Sequence, residues 1–177
     1  MSISKVENDK TGIIEKGDNE EDLESLVDEN VIQLVTFLLL DEIEYGIDIL
    51  SVHEILKIAD ITRLPNVPSF IRGVINLRGH VIPVVDVRER FGFEKGEITD
   101  STRIIVVETN DKLVGLIVDV VLHVVRLPQN NVDQPNELIE GVSEEFISGV
   151  GRVEDRLIVI LSLDNMLFEE SKPREDQ

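Results

Sequence analysis

From residue 31 onward, short runs of Val, Ile and Leu alternate with turn-forming residues, and this pattern constrains the fold more than any other feature. The runs include VIQLVTFLLL, VIPVV, TRIIVVET and LIVIL, which are five to ten residues long, the length of strands. Branched side chains such as Val and Ile favour strands because they have few rotamers and pack well on a pleated surface. Pro65, Gly79 and Asn110-Asp111 interrupt the runs and predict tight connections. We therefore predict an all-β fold.

Two parts of this pattern repeat each other. The segment FIRGV followed by VIPVV corresponds to FISGV followed by LIVIL, 76 residues later. Upstream, Tyr45-Gly46-Ile47 resembles Val114-Gly115-Leu116 at an offset of 69 residues. Closing into a barrel is the economical way for short strands to avoid exposed edges. The repeat predicts an internally duplicated unit of about five strands, with chance similarity between Val/Ile-rich strands as the alternative.

The sequence predicts two short helices and one long loop in addition to the strands. Asp86 has the side chain of an N-cap and predicts a short helix after the VIPVV strand, which Gly92 would end. Residues 129–142 predict a long polar loop, and a second short helix is expected just before residue 169.

Charge separates the two ends of the chain from its middle. The sequence has 36 Asp and Glu against 17 Lys and Arg, and this net charge of −19 opposes binding to nucleic acid and to anionic lipid. Residues 1–30 contain ten acidic side chains and three Lys, with too few apolar residues to offset the entropy of ordering. We predict a disordered acidic tail over residues 1–30, a folded domain over 31–168 and a charged tail over 169–177.

Motifs that carry catalysis or bind cofactors are missing from the sequence. It has no Cys, no glycine-rich phosphate loop, no HExxH and no GxSxG. His53, His80 and His123 lack the spacing of a metal site, and no run approaches the roughly 20 apolar residues of a membrane span. We expect a soluble, cytoplasmic binding protein with no metal, no cofactor and no membrane insertion. A hydrolase with a dispersed carboxylate site stays open as the alternative, because sites assemble from distant residues.

One turn in this acidic chain carries a cation. In GVINLRGHVIPVVDV, Arg78 and Gly79 lie between two apolar runs, with Leu77 immediately before them. A plain hairpin explains the glycine, which supplies a positive φ, but it explains neither the planar cation nor the apolar residue beside it. A partner that offers a carboxylate and an apolar surface would explain both.

The stretch FIRGVINLRGHVIPVVDVRERFG closely resembles the CheW family of bacterial chemotaxis coupling proteins. The resemblance extends from about Val31 to Phe168 and includes EYGIDILSVHEI, VGLIVDVVLHVVRL and DRLIVILSLDNML. It implies two intertwined five-stranded barrels of SH3-like type with short helices and no catalytic activity. It also implies an adaptor that joins the cytoplasmic hairpin tips of chemoreceptors to the histidine kinase CheA. An adaptor in a non-chemotactic kinase array, such as one that controls surface motility, would use the same surfaces.

The resemblance also implies a set of contact residues. The receptor-binding set that it implies is Val52, Glu54, Arg78, Val81 and Val124, to which Leu77 is added because it lies beside Arg78 on the turn. The kinase-binding set is Val52 and Ile58. Gly73, Gly79 and Gly115 would shape the backbone near the interface. For the valines, burial in the core is the ordinary alternative. The isolated protein is expected to be a monomer that joins rings with the kinase's regulatory domain in membrane-associated receptor arrays.

Overall fold

The computed structural model describes residues 30–40, 43–135 and 142–168, and most of these residues lie in strands. The predicted tails, 1–30 and 169–177, fall outside the described residues except for Asn30. In chain order the elements are β1 (Val31–Leu39), β2 (Ile43–Asp48), β3 (Val52–Lys57), β4 (Ile71–Leu77), β5 (His80–Asp86), α1 (Val87–Arg90), β6 (Arg103–Thr109), β7 (Lys112–Val118), β8 (Val120–Pro128), β9 (Val132–Asp133), β10 (Ile147–Val153), β11 (Arg156–Leu161) and α2 (Leu163–Phe168). The all-β prediction is confirmed.

The strands form two sheets that are interleaved along the chain. Sheet A has the strand order β8-β1-β2-β11-β10-β9, and sheet B has the order β3-β6-β7-β5-β4. Sheet B is therefore built from the middle of the chain, whereas sheet A combines its first two strands with its last four. Each sheet contains one parallel pair, β2 with β11 in sheet A and β5 with β7 in sheet B. The remaining pairs are antiparallel.

The strand registers confirm the internal duplication. In sheet B, Val84 of β5 pairs with Gly115 of β7, and in sheet A the equivalent residues Ile160 and Gly46 pair in the same way. The β4–β5 ladder shifts register between Ile71 and Gly73, and the β10–β11 ladder shifts at the equivalent residues 147 and 149. Chance similarity between apolar strands would not reproduce both the pairing and the bulge.

In each sheet, the chain that follows the first strand in sheet order pairs with the far strand, β4 in sheet B and β10 in sheet A, and this pairing closes the sheet. In sheet B the chain leaves β3 and reaches the free edge of β4, where Thr62 and Val74 exchange backbone hydrogen bonds of 2.9 and 2.8 Å. In sheet A the chain leaves β8 and forms β9, which pairs with β10. The predicted loop over 129–142 is thus wrong at Val132–Asp133, because closure of the sheet requires a strand there.

Apolar side chains fill three separate cores. The largest lies between the sheets and contains an aromatic cluster in which Tyr45 stacks on Phe37 and contacts Phe91, with ring centroids 5.7 and 5.6 Å apart. Smaller cores fill the inside of each unit, around Ile104 in sheet B and around Ile158 in sheet A. The central strands are therefore buried on both faces, which explains their almost continuous apolar sequence.

The short helices attach to this framework as predicted. Asp86 caps α1 by accepting hydrogen bonds from the backbone N–H groups of Arg88 and Glu89, at 3.0 and 3.4 Å. Its second oxygen accepts from Arg72 Nε and Nη2, at 3.0 and 2.7 Å. Gly92 follows α1 with a φ of +86°, which is the conformation of a helix C-terminal glycine.

Candidate functional site

The turn between β4 and β5 has a backbone conformation that an arginine rarely adopts. Arg78 and Gly79 have φ angles of +52° and +86°, as in the type I′ turns that match the twist of a hairpin. Asn76 Oδ1 accepts the Gly79 N–H at 3.0 Å and stabilises the turn. Gly and Asn are the residues usually found at positive φ, so an Arg there carries a conformational cost. Glu154 at the equivalent turn of sheet A has the same conformation, with a φ of +53°, so the duplicated hairpin sets this backbone in both units.

The Arg78 side chain forms a two-point ion pair with Glu54 of β3. Nη1 donates to Oε1 at 2.7 Å and Nη2 donates to Oε2 at 3.1 Å, which is the fork geometry that fixes both groups in one orientation. The Arg78 side chain is 71% exposed and that of Glu54 is 21% exposed. An ion pair this open to solvent contributes about 1 kcal/mol or less to folding. Its main effect is to hold the guanidinium in place on the surface.

A bulge in β3 makes this contact possible. The β3–β6 register shifts between Val52 and Glu54, because Val52 pairs with Val107 and Glu54 with Val106. The bulged residue, His53, is exposed. A bulge reorients the residues around it, and here the residue that follows His53 meets the β4–β5 turn. We expected the acidic partner of Arg78 on a receptor, whereas the structure shows one within the same chain.

The predicted contact residues with apolar side chains fall into two groups. Val81 and Val124 are 69% and 51% exposed, so neither is an ordinary core residue. Val52 is half-buried and packs against the central core. Leu77 is the last ladder residue of β4 and packs against the core of sheet B, which makes Val81 the exposed apolar neighbour of the turn. Val124 lies in β8 of sheet A, not in the sheet that holds the ion pair.

Ile58 and the predicted glycines have identifiable structural roles. Ile58 is half-buried against the core of sheet B. A Cβ on Gly73 would lie 2.1 Å from the carbonyl oxygen of Thr62, and a Cβ on Gly115 would lie 2.9 Å from Ile104 Cγ2. Gly79 has nothing within 4 Å of a Cβ position, so only its φ favours glycine. Gly73 and Gly115 therefore allow close packing within sheet B.

Sheet A has a different set of charges at the equivalent bulge. In β8 the position corresponding to Glu54 is His123, whose Nε2 lies 3.7 Å from Glu44 Oε2 and 3.2 Å from Arg156 Nη1. Arg156 Nη1 also donates to Glu44 Oε1 at 3.1 Å. The Glu44 side chain is almost fully buried, and its Oε2 has no hydrogen bond. The three side chains come from β2, β8 and β11, so periodicity within one strand could not reveal this group.

A buried arginine, which sequence reasoning missed, joins the two halves of the fold. The guanidinium of Arg90 lies 4.7 Å from the ring centroid of Phe70 and 4.6 Å from that of Phe146. Its Nε donates to the carbonyl oxygen of Met166 in α2 at 2.5 Å. Burial lowers the pKa of Arg90 from its ordinary value, and the nearby carboxylate of Glu145 opposes this shift. The aromatic faces and the carbonyl offset part of the cost of burying this charge.

Metal-binding clusters and membrane-spanning helices are not found in the described part of the chain. Within residues 30–40, 43–135 and 142–168, no group of three or more His, Asp or Glu side chains is placed to bind a metal ion. The helices in those ranges are all too short and too polar to cross a bilayer. The three histidines are exposed.

These observations define a class of protein: a duplicated, two-unit β scaffold that presents ordered charge pairs on the outside of its strands. A family model described as the CheW-like domain matches residues 33–171. The chemotaxis protein CheW of Helicobacter pylori is 35% identical over 139 residues, which cover 78% of this chain and 83% of that protein. The CheW of Bacillus subtilis is 38% identical and the match covers 72% and 82% of the two chains. The chain belongs to the CheW family.

Two further comparisons extend this result. The crystal structure of the scaffolding protein TtCheW from Thermoanaerobacter tengcongensis is similar, with a TM-score of 0.71 and 37% identity over 78% of this chain and 90% of that chain. Protein PilI of Pseudomonas aeruginosa is 32% identical over 109 residues, 62% of this chain and 61% of that protein. The family resemblance described from the sequence is confirmed.

Proposed function

We propose that this chain is a non-catalytic adaptor that couples the cytoplasmic hairpin tips of chemoreceptors to a CheA-type histidine kinase in membrane-associated arrays. Family membership supports the class of function, since the similar proteins are named as chemotaxis and scaffolding proteins. The single observation that carries the proposal is the Arg78–Glu54 pair: an arginine at an unfavourable φ, fixed by two hydrogen bonds and left mostly exposed. Neither the turn nor the core needs such a side chain.

The receptor surface in this proposal is centred on the ion pair. Glu54 uses both oxygens on Arg78, but the guanidinium has further N–H donors with no partner among the described residues. These donors can bind a carboxylate or carbonyl on a helical hairpin, while the exposed side chain of Val81 supplies apolar contact. Because Glu54 already orders the guanidinium, binding of a receptor costs less side-chain entropy than it would for a mobile arginine. Val52, Leu77 and Val124 complete the proposed receptor set, and Val52 and Ile58 are the proposed kinase contacts.

The proposal is tested by titrating the protein separately with a receptor hairpin fragment and with the regulatory domain of the kinase. Arg78→Ala is expected to weaken receptor binding at least about fivefold, the effect of losing roughly 1 kcal/mol at an interface. Arg78→Lys is expected to restore binding only in part, because it keeps the charge but not the fork. Glu54→Gln is expected to weaken binding as well, since it frees the guanidinium to move.

Arg152→Ala is the matched control. Arg152 is also an exposed arginine near a hairpin, and it pairs with Asp133 at 2.9 Å on sheet A, whereas the Arg78–Glu54 pair lies on sheet B. It is expected to bind the receptor fragment like the parent. Equal receptor binding by Arg78→Ala and the parent would disprove the role of the ion pair, and failure of the parent to bind either fragment would disprove the adaptor function. Loss of swimming chemotaxis on gene deletion would separate a chemotactic array from a surface-motility array.

A further inference from the structure

Two cations face each other at one end of sheet B, and neither has an ion-pair partner in the described part of the chain. Lys57 of β3 and Arg103 of β6 are directly paired in the antiparallel ladder, so their side chains extend from the same face of the sheet. Like charges in this arrangement repel each other. Neither side chain forms an ion pair with any described residue, although the chain as a whole carries 36 acidic residues.

The fold itself does not require this arrangement. Because the two units share their register, the equivalent ladder pair in sheet A is Arg126 opposite Gln33. That pair contains one cation and a neutral amide. The second cation in sheet B is thus a feature of this surface and not a consequence of strand geometry.

The two cations lie on the wall of a cavity of about 310 Å³, which is open to solvent. The other lining residues are Ile58, Thr99, Asp100 and Thr102. The turn before β6 orders this wall, because Thr102 Oγ1 accepts the Thr99 N–H at 2.9 Å. Ile58 adds an apolar side chain that is half-buried. The cavity therefore combines the two positive charges of Lys57 and Arg103 with one carboxylate, that of Asp100, and one apolar contact.

The guanidinium of Arg103 is oriented for one more contact. Its Nη1 donates to the carbonyl oxygens of Asp100 and Thr102, at 2.7 and 2.8 Å, which leaves the edge formed by Nε and Nη2 without a partner among the described residues. Elsewhere in this protein, the same edge of an arginine donates hydrogen bonds to an aspartate. Arg72 binds Asp86 in this way and Arg88 binds Asp119, each through Nε and Nη2. A planar carboxylate is the natural ligand for that edge.

We propose that this cavity binds an aspartate or glutamate side chain of the protein that docks beside Ile58. The carboxylate accepts from Arg103 Nε and Nη2 and lies close enough to Lys57 to relieve the repulsion between the two cations. This inference rests on the proposed function, under which the protein docking beside Ile58 is the regulatory domain of the kinase. The cavity then adds a charged specificity contact to an otherwise apolar interface.

Lys57→Glu is the most informative variant because it separates stability from binding. It places a carboxylate opposite Arg103 within the chain, so thermal stability is expected to equal or exceed that of the parent. Kinase binding is expected to weaken about tenfold, and the salt dependence of that binding is expected to fall. Lys95→Glu makes the same change in net charge at an exposed position outside the cavity and is expected to bind normally.

Two outcomes would overturn the inference, and each is distinct from failure of the proposed function. If Lys57→Glu binds the kinase domain as tightly as Lys95→Glu does, the cavity is not a binding site. If no Asp→Lys or Glu→Lys variant of the kinase domain restores binding to the Lys57→Glu, Arg103→Glu double variant, the ligand is not a carboxylate. Receptor binding by Lys57→Glu is expected to stay at the parent level. Failure of the parent to bind the kinase domain would instead disprove the adaptor function.

Discussion

Gly73→Ala is expected to be severely destabilising because Gly73 lies where sheet B closes. The φ angle of Gly73 is +145°, which side chains other than glycine rarely adopt. An alanine Cβ would lie 2.1 Å from the carbonyl oxygen of Thr62 and 2.7 Å from its carbonyl carbon. Both are backbone atoms, so rotation of a side chain cannot relieve the clash. The chain around Thr62 has to move away from β4.

The free-energy cost follows from what that movement breaks. Thr62 and Val74 exchange two backbone hydrogen bonds, and each contributes about 1 kcal/mol. Backbone strain at residue 73 adds about 1 to 3 kcal/mol. Ile61, which packs against the core of sheet B, also loses part of its contact. We expect Gly73→Ala to lower the free energy of unfolding by about 3 to 5 kcal/mol and the Tm by roughly 10 °C.

Urea denaturation followed by circular dichroism measures this cost, and two other glycines serve as controls. Gly79→Ala keeps an unfavourable φ of +86° but has no atom within 4 Å of the new Cβ, so it is expected to cost only about 1 kcal/mol. At the equivalent position of sheet A, Gly149→Ala meets Val132 Cγ1 at 2.7 Å, a side-chain atom that can shift, and an intermediate cost is expected. A cost for Gly73→Ala within about 1 kcal/mol of that for Gly79→Ala would refute the clash argument.

Two further predictions concern buried side chains. Burial raises the pKa of Tyr45 to about 12. The sequence has one tyrosine and no Trp, so the absorbance of the Tyr45 phenolate can be followed directly during an alkaline titration. Because folding raises the pKa of Tyr45, the neutral phenol contributes about 3 kcal/mol to the free energy of unfolding below pH 10. This contribution is lost as the pH rises towards 12. A phenolate that forms near pH 10 in the folded protein would contradict this prediction. Arg90→Lys keeps the charge but loses the planar contact with Phe70 and Phe146, and it is expected to lower the free energy of unfolding by about 2 kcal/mol in urea denaturation. Parent-like stability of Arg90→Lys would show that the stacked geometry contributes little.

The sequence predicted those features of the fold that depend on local chemistry or on direct repetition. The Asp86 cap and the turn at Gly79 follow from side chains that act on their own backbone, so a short window of sequence contains all the information. The duplication was visible because FIRGV and FISGV must form the same bulged strand, in which a Cβ at Gly73 or Gly149 would clash with the segment that closes each sheet.

Exposure and pairing could not be predicted in the same way. Central strands such as Arg103–Thr109 are buried on both faces, so their apolar runs lack the alternation that marks one face as outward. The exposure of Val81, in a strand with a similar apolar sequence, is therefore invisible in the sequence. Glu54 and Arg78 lie 24 residues apart, and their contact depends on a bulge at His53. A bulge of one residue changes which side chains meet, and no composition signal marks it.

Comparing equivalent positions of the two sheets distinguishes residues that the fold requires from surface residues that differ between the two units. Glycines recur at the equivalent positions Gly46 and Gly115, where a Cβ would lie 3.0 Å from Ile158 Cγ2 and 2.9 Å from Ile104 Cγ2. The bulge position, in contrast, holds Glu54 in one unit and His123 in the other. A difference at a position where the backbone is the same cannot be explained by the fold. Different charged contacts accompany it, because Glu54 pairs with Arg78 whereas His123 lies beside Glu44 and Arg156. The Arg78 turn and the two-cation cavity of sheet B are the surfaces that we propose for binding partners.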